Sequence, residues 1–165
     1  MDALRFESFY EREYPGVRRA LAVALGEVGA AEEAAQEAFV KAWLRWGRVG
    51  RMEHPAGWVY VVAIRHALRG RARVPLRETA GPVGEVGEIA SEVVERVSGE
   101  SALMFLAQRQ RVAVVLRYYA DLPLAEIAEA MGCSVGTVKS TLHAALGRLR
   151  VDLANVEEAT FDGSS

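Results

Sequence analysis

The sequence predicts an all-α chain of two small helical domains joined by a flexible acidic linker. Three observations carry that prediction. Apolar residues recur at three- and four-residue spacings along most of the chain, and no stretch alternates apolar and polar residues for long enough to make a strand. Residues 74–101 change composition, with Pro75, Gly81, Pro82, Gly84, Gly87 and Gly99 set among small and acidic side chains. At 165 residues and 51% apolar, the chain suffices for one ordinary domain or two small ones and is too apolar to be disordered throughout.

The domain over residues 1–73 opens with Leu4, Phe6, Phe9, Tyr10, Tyr14, Val17, Leu21 and Leu25 in helical register, and Gly26 and Gly29 are its stops. A second helix is expected over about residues 31–46, with Ala35, Phe39, Ala42, Trp43 and Trp46 on one side. A third runs from Pro55, suited to a first helical turn, through Trp58, Val62, Ala63 and Leu68 to a basic end at Arg65, Arg69, Arg71 and Arg73. The linker, 74–101, has room for one short helix near residues 89–97.

The domain over residues 102–150 holds the most specific local pattern. Residues 124–131 form one short amphipathic helix, Gly132 and Cys133 a tight turn, and Ser134 is a good N-cap for a further helix starting at Val135. Ala128 is small where two helices cross, Gly132 permits a positive backbone angle, and Ile127, Val135, Val138 and Leu142 supply a shared core. This is the helix-turn-helix arrangement, whose second helix lies in the major groove when it binds DNA; on spacing alone a helical hairpin without DNA binding fits equally well. Thr137, Lys139, Ser140, Thr141, His143 and Ala144 are left facing outward. Val112, Val115, Leu116 and Tyr119 mark a supporting helix, which leaves Arg109, Arg111 and Arg117 for phosphates or solvent. The acidic tail, 151–165, is expected to be disordered.

The formal charge of −2 argues against a polyanion as partner until it is divided by segment. Residues 1–73 carry 12 basic and 9 acidic side chains and residues 102–150 carry 6 and 3, so each domain is +3. The linker, with 2 and 6, and the tail, with 0 and 4, are each −4. The acidity therefore sits outside the two domains. The single cysteine, Cys133, cannot close an internal disulfide, and three scattered histidines build no zinc site. No apolar run is long enough to span a membrane and no signal-peptide pattern opens the chain, so an intracellular, cytoplasmic protein is expected. No acid, base, nucleophile or phosphate-loop constellation suggests an enzyme, and no cofactor is expected.

With these residues in hand, the chain resembles the extracytoplasmic-function (ECF) sigma factors of the sigma-70 superfamily, in an actinobacterial-like form, over nearly its whole length. Ala-Glu-Glu-Ala-Ala-Gln-Glu-Ala-Phe-Val-Lys-Ala-Trp at 31–43 resembles the region 2 helix, and His-Pro-Ala-Gly-Trp at 54–58 the start of the promoter-reading helix. Arg-Gln-Arg-Val-Ala-Val-Val-Leu-Arg-Tyr-Tyr at 109–119, Ile-Ala-Glu at 127–129 and Gly-Thr-Val-Lys-Ser at 136–140 resemble region 4. The resemblance implies a factor that binds core RNA polymerase, through the clamp helices of its largest subunit and its flap, directs it to promoter DNA and helps open the duplex. By that analogy Gln36, Glu37, Val40, Lys41 and Trp43 face the polymerase. Trp58, Arg65, Arg69, Arg71 and Arg73 read the minus-ten element, and Thr137, Lys139, Ser140, Thr141, His143 and Ala144 the minus-thirty-five element. It also admits an anti-sigma factor as a partner and needs no membrane. Taken without it, Glu32, Glu33 and Glu37 read as a solvated helix start and the three tryptophans as core.

The chain departs from the family at several of these positions. Arg65 and Arg69 stand where an Asn and an Asp are common, and Val61 where a basic residue is. Thr141 and Ala144 replace two recognition-helix arginines, each worth ~1–3 kcal/mol of discrimination when paired to guanine. Pro123 stands where a capping Ser is frequent and Ala107 where Pro is. An alternative therefore stands beside the sigma-factor reading: a sigma-like interaction protein that binds polymerase or an anti-sigma factor but reads promoters poorly alone. An unrelated helix-turn-helix repressor would explain residues 109–150 and leave 31–73 without a role.

Overall fold

The computed structural model describes residues 1–70 and 103–162, with side chains of the second stretch described through residue 151. Every regular element among them is helical. In the first module α1 (Asp2–Leu25) turns back through Gly26 into α2 (Val28–Leu44), a single turn, α3 (Trp46–Val49), follows, and α4 (Pro55–Gly70) closes the module. Gly26 adopts φ 72 and its N–H donates to the Ala22 carbonyl, a left-handed cap that a side chain would strain. The close approach of α1 and α2 is set by small residues. Ala20 and Ala24 on one helix and Ala31, Ala34, Ala35, Ala38 and Ala42 on the other are all buried. At the open end of this helical pair Phe6, Phe9, Tyr10, Tyr14, Phe39, Trp43 and Trp46 form one aromatic cluster, with ring centroids from 4.9 to 6.4 Å apart.

The second module consists of α5 (Gln108–Val114), which continues as a wider π-turn over Val115–Tyr119, then α6 (Leu124–Met131) and α7 (Val135–Asp162). The π-turn ends where the Ala120 N–H reaches back to the Val115 carbonyl at 3.0 Å. Gly132, at φ 67, makes the turn between α6 and α7. Ser134 Oγ accepts from the Thr137 N–H at 3.1 Å, the N-cap expected from sequence. The core is branched aliphatic: Val112, Leu116, Leu122, Ile127, Val138, Leu142 and Leu149 are almost wholly buried.

Helix boundaries differ from expectation at two places. The backbone is helical from Val135 to Asp162, so residues 151–162 continue α7. Residues 151–162 contain no Gly or Pro that would interrupt the helix. The second helix starts earlier than expected and ends at Leu44, with Trp46 starting its own turn. Arg71, Arg73 and the short helix expected near 89–97 lie outside the described residues.

The two modules pack against each other, α4 against α6 and α5 against α1. Gly57, in α4, faces Leu122, whose Cδ2 would lie 2.8 Å from a Cβ at that position. Beside this contact lies a cleft of about 320 Å³ lined from both modules, among others by Glu13, His54, Pro55, Asp121 and Pro123.

Candidate nucleic-acid and protein interfaces

The first candidate surface is the outer face of α2. Gln36, Val40, Trp43 and Leu44 are exposed there, Val40 at 55% and Leu44 at 75%, although the opposite face of the same helix is buried alanine. Glu37 and Lys41 are half-buried and pair at 3.3 Å one helical turn apart; such surface pairs are weak and leave both groups available. Sequence reasoning missed half of this surface. Phe6 and Tyr10 of α1 stand beside Gln36, Phe39, Val40 and Trp43 and line with them an apolar groove of about 380 Å³. Phe6 packs on Trp43 at 5.1 Å and Tyr10 on Phe39 at 5.1 Å, edge to face, so the groove walls are braced before any partner arrives. The i, i+4 spacing of Phe6 and Tyr10 was visible but reads equally as core. Exposed apolar residues grouped in this way mark a protein-binding surface.

The second surface is α4 and the loop before it. His54 is exposed, whereas Trp58 is half-buried and packs on the core, leaving part of its ring for stacking. Arg69 is exposed beside a broad depression of about 820 Å³ that also includes Glu33 and His66, paired at 3.4 Å. Arg65 is engaged across the modules. Its Nη2 donates to Glu129 Oε1 at 2.9 Å and its Nε to the Glu129 carbonyl at 3.4 Å. Behind this face Tyr60 is buried, and burial, reinforced by nearby Glu13, pushes its phenol up to about 12.

The third surface is the start of α7. Lys139 and His143 are exposed, and Thr137, Ser140 and Ala144 are half-buried. Thr141 does not face outward. It is 7% exposed and its hydroxyl donates to the Thr137 carbonyl at 2.8 Å, which satisfies it inside the helix packing. The Ser140 hydroxyl likewise turns back, to the Gly136 carbonyl at 3.0 Å. The recognition face is therefore short of charge, and the next exposed cations, Arg148 and Arg150, lie about two and a half to three turns beyond Lys139.

Two arginines expected to remain available on the supporting helix are committed elsewhere. Arg111 Nη1 donates to the Leu106 carbonyl at 2.8 Å and its Nε to the Ala24 carbonyl at 3.4 Å, at the end of α1 where helix carbonyls lack partners. Arg117 Nη1 donates to the Leu122 carbonyl at 2.9 Å. Both hold loops in place.

Both modules match known sequence families. Residues 9–74 match the family model described as sigma-70 region 2, and residues 100–149 the one described as sigma-70, region 4. The chain is 31% identical over 157 residues to the RNA polymerase sigma-E factor of Streptomyces avermitilis, covering 92% of this chain and 87% of that protein. It is 29% identical over 136 residues to the ECF RNA polymerase sigma factor SigL of Mycobacterium tuberculosis, covering 78% and 77%. Among solved structures it is similar in fold to the sigma factor RpoE of Bartonella quintana in its complex with the anti-sigma factor NepR. The TM-score is 0.60 at 21% identity, over 90% of this chain and 96% of that one.

Proposed function

The chain belongs to the RNA polymerase sigma factors of the sigma-70 family, in their extracytoplasmic-function class, and from that premise we propose how its surfaces divide the work of initiation. It acts as an initiation factor and not an enzyme, directing core polymerase to specific promoters. The groove of Phe6, Tyr10, Gln36, Val40 and Trp43, with Glu37 and Lys41 at its side, takes the clamp helices of the polymerase. Trp58, Arg65, Arg69, Arg71 and Arg73 contact the minus-ten element, where bases leave the stack and need an aromatic surface and cations. Lys139, His143 and the half-buried Thr137, Ser140 and Ala144 approach the minus-thirty-five element. Because the polymerase is the partner, the cytoplasm is the place of action. Among the described residues no helix is long and apolar enough to cross a membrane. An anti-sigma factor is a further proposed partner, by analogy with the Bartonella protein.

The observation that carries this reading is the order of region 2 and region 4 in one chain that aligns with a sigma factor over 92% of its length. One observation favours the narrower alternative of an interaction protein that reads promoters poorly alone. Lys139 is the sole cation on the first two turns of the recognition helix, and Thr141 is buried. Purified protein mixed with core polymerase separates the two by binding and by run-off transcription from a genomic promoter library. Binding with discrete transcripts is expected. Binding without transcripts leaves the alternative, and absence of binding to core overturns both.

A further inference from the structure

Between α2 and α4 the chain carries a period of three that none of the surfaces described above uses: Arg-Trp-Gly, Arg-Val-Gly and Arg-Met-Glu follow one another at residues 45–53. The backbone is wound to match. The Arg48 N–H donates to the Arg45 carbonyl at 2.9 Å, the Arg51 N–H to the Arg48 carbonyl at 3.2 Å and the Met52 N–H to the Val49 carbonyl at 3.1 Å. In backbone closed by bonds to the third residue, side chains three apart stand on one side. Burial agrees with this: Val49 is fully buried and Trp46 and Met52 are half-buried, whereas Arg45, Arg48 and Arg51 are all exposed. The inner side is firmly seated. The Trp46 ring lies 5.2 Å from Phe6 and 5.0 Å from Phe9, and Gly50 sits so close over it that a Cβ there would come within 2.9 Å of the ring.

We propose that Arg45, Arg48 and Arg51 form a track for the phosphates of a single DNA strand, separate from the arginines of α4. The proposal rests on the sigma-factor reading above. At ~2.0 Å per residue the three stems rise ~6 Å from one to the next, a spacing suited to a strand drawn out beyond its ~3.4 Å rise per nucleotide in a duplex. Each guanidinium offers a planar pair of donors to phosphate oxygens. Among the described residues none of the three has an acidic partner, in contrast to Arg12, Arg18 and Arg65, which pair with Glu13, Glu32 and Glu129. A protein partner fits the row less well. Such interfaces are centred on a buried aromatic or apolar anchor, and between Arg45 and Arg51 the exposed neighbours are Gly47 and Gly50. The row also leads along the chain to the start of α4 at Pro55 and to Trp58 in its first turn, so a strand held on it can pass to an aromatic surface on which bases stack.

The test uses the full chain and a short fluorescent oligothymidylate, whose affinity is measured by anisotropy over a series of salt concentrations. Each phosphate contact on a single strand contributes ~0.7 to the log-log slope, so the Arg45→Ala, Arg48→Ala, Arg51→Ala variant is expected to lose about 2 from it. The Arg45→Lys, Arg48→Lys, Arg51→Lys variant is expected to keep most of the slope. If circular dichroism shows the alanine variant melting below the parent, Arg48→Gln alone decides, with an expected loss of ~0.7. An unchanged slope in a variant that melts as the parent does overturns the proposal. So does an equal loss in Arg18→Ala, a paired arginine of the same module, which would be net charge acting alone. Polyglutamate displacing the oligonucleotide at equal charge concentration overturns it too, and makes the row a seat for an acidic protein. Core-polymerase binding is measured on the same variants and is expected to stay unchanged. Failure of the parent to bind core would break the sigma-factor reading and leave the slopes to decide the track.

Discussion

The two modules solve the same packing problem with different side chains, and the difference follows what each must present outside. In the first, α1 and α2 meet through alanines, so their axes come close and the large residues are displaced to one end, where Phe6, Tyr10 and Trp43 form an exposed groove. In the second, Leu, Ile and Val fill the space between α5, α6 and α7, and little apolar surface remains on the recognition face. The proposed surface for a protein partner is made by driving aromatics out of a tight core. The proposed surface for DNA is made by keeping apolar residues in and leaving short polar side chains outside.

The sharpest way to break this comparison is to exchange the packing strategies. Leu142→Ala leaves a cavity at a fully buried position and is expected to cost ~2–5 kcal/mol, unfolding the second module first. Ala35→Leu forces volume into the alanine seam and should cost ~1–3 kcal/mol in the first. Thermal unfolding followed by circular dichroism and by tryptophan fluorescence distinguishes them, since all three tryptophans lie in the first module. Equal effects of Leu142→Ala on both probes would mean that the modules unfold as one body.

A smaller effect on stability and a larger one on binding are expected at the groove. Trp43→Ala removes an exposed aromatic anchor and should weaken the core-polymerase complex by about 2 kcal/mol, or roughly thirtyfold, with little change in melting temperature. Lys139→Ala, in contrast, should leave core binding untouched and lower the salt dependence of promoter-DNA binding by about one in the log-log slope. The smallest effect concerns Tyr60. Its folded value is raised, so the stability it contributes is complete below about pH 10, where the unfolded phenol begins to ionise, and is lost as pH rises toward about 12. Spectrophotometric titration should find one tyrosine ionising near 12, and Tyr60→Phe should remove that step.

What was legible in the sequence was local. Gly26, Gly132 and Ser134 mark helix ends because a positive φ or a cap hydrogen bond is decided within a few residues, and all three perform those tasks. The buried stripes of α1, α6 and α7 follow from helical period, except at Leu4 and Val135, which were read into them and are exposed. Thr141 was misread because a hydroxyl looks outward in a sequence, yet a threonine can return its hydrogen bond to the preceding turn and join the core. Arg111 and Arg117 looked available because their partners are backbone carbonyls, one of them 87 residues away, and carbonyls leave no mark in a sequence. The pairing of Arg65 with Glu129, across 64 residues, depends on how two separate modules meet, which no periodicity encodes. The candidate polymerase groove was half legible: α2 gave its residues through the family pattern, and α1 hid its share among positions that read as core.

The central claim is that the two modules of one chain serve two separate DNA elements of a promoter. A footprint of the holoenzyme on a promoter from which it initiates tests this most directly. With Arg65→Ala and Arg69→Ala, protection should be lost around the start-proximal element alone; with Lys139→Ala and His143→Ala, only around the element about 25 base pairs upstream. Loss of the same protected patch in both variants, or a single patch in the parent protein, would contradict the account.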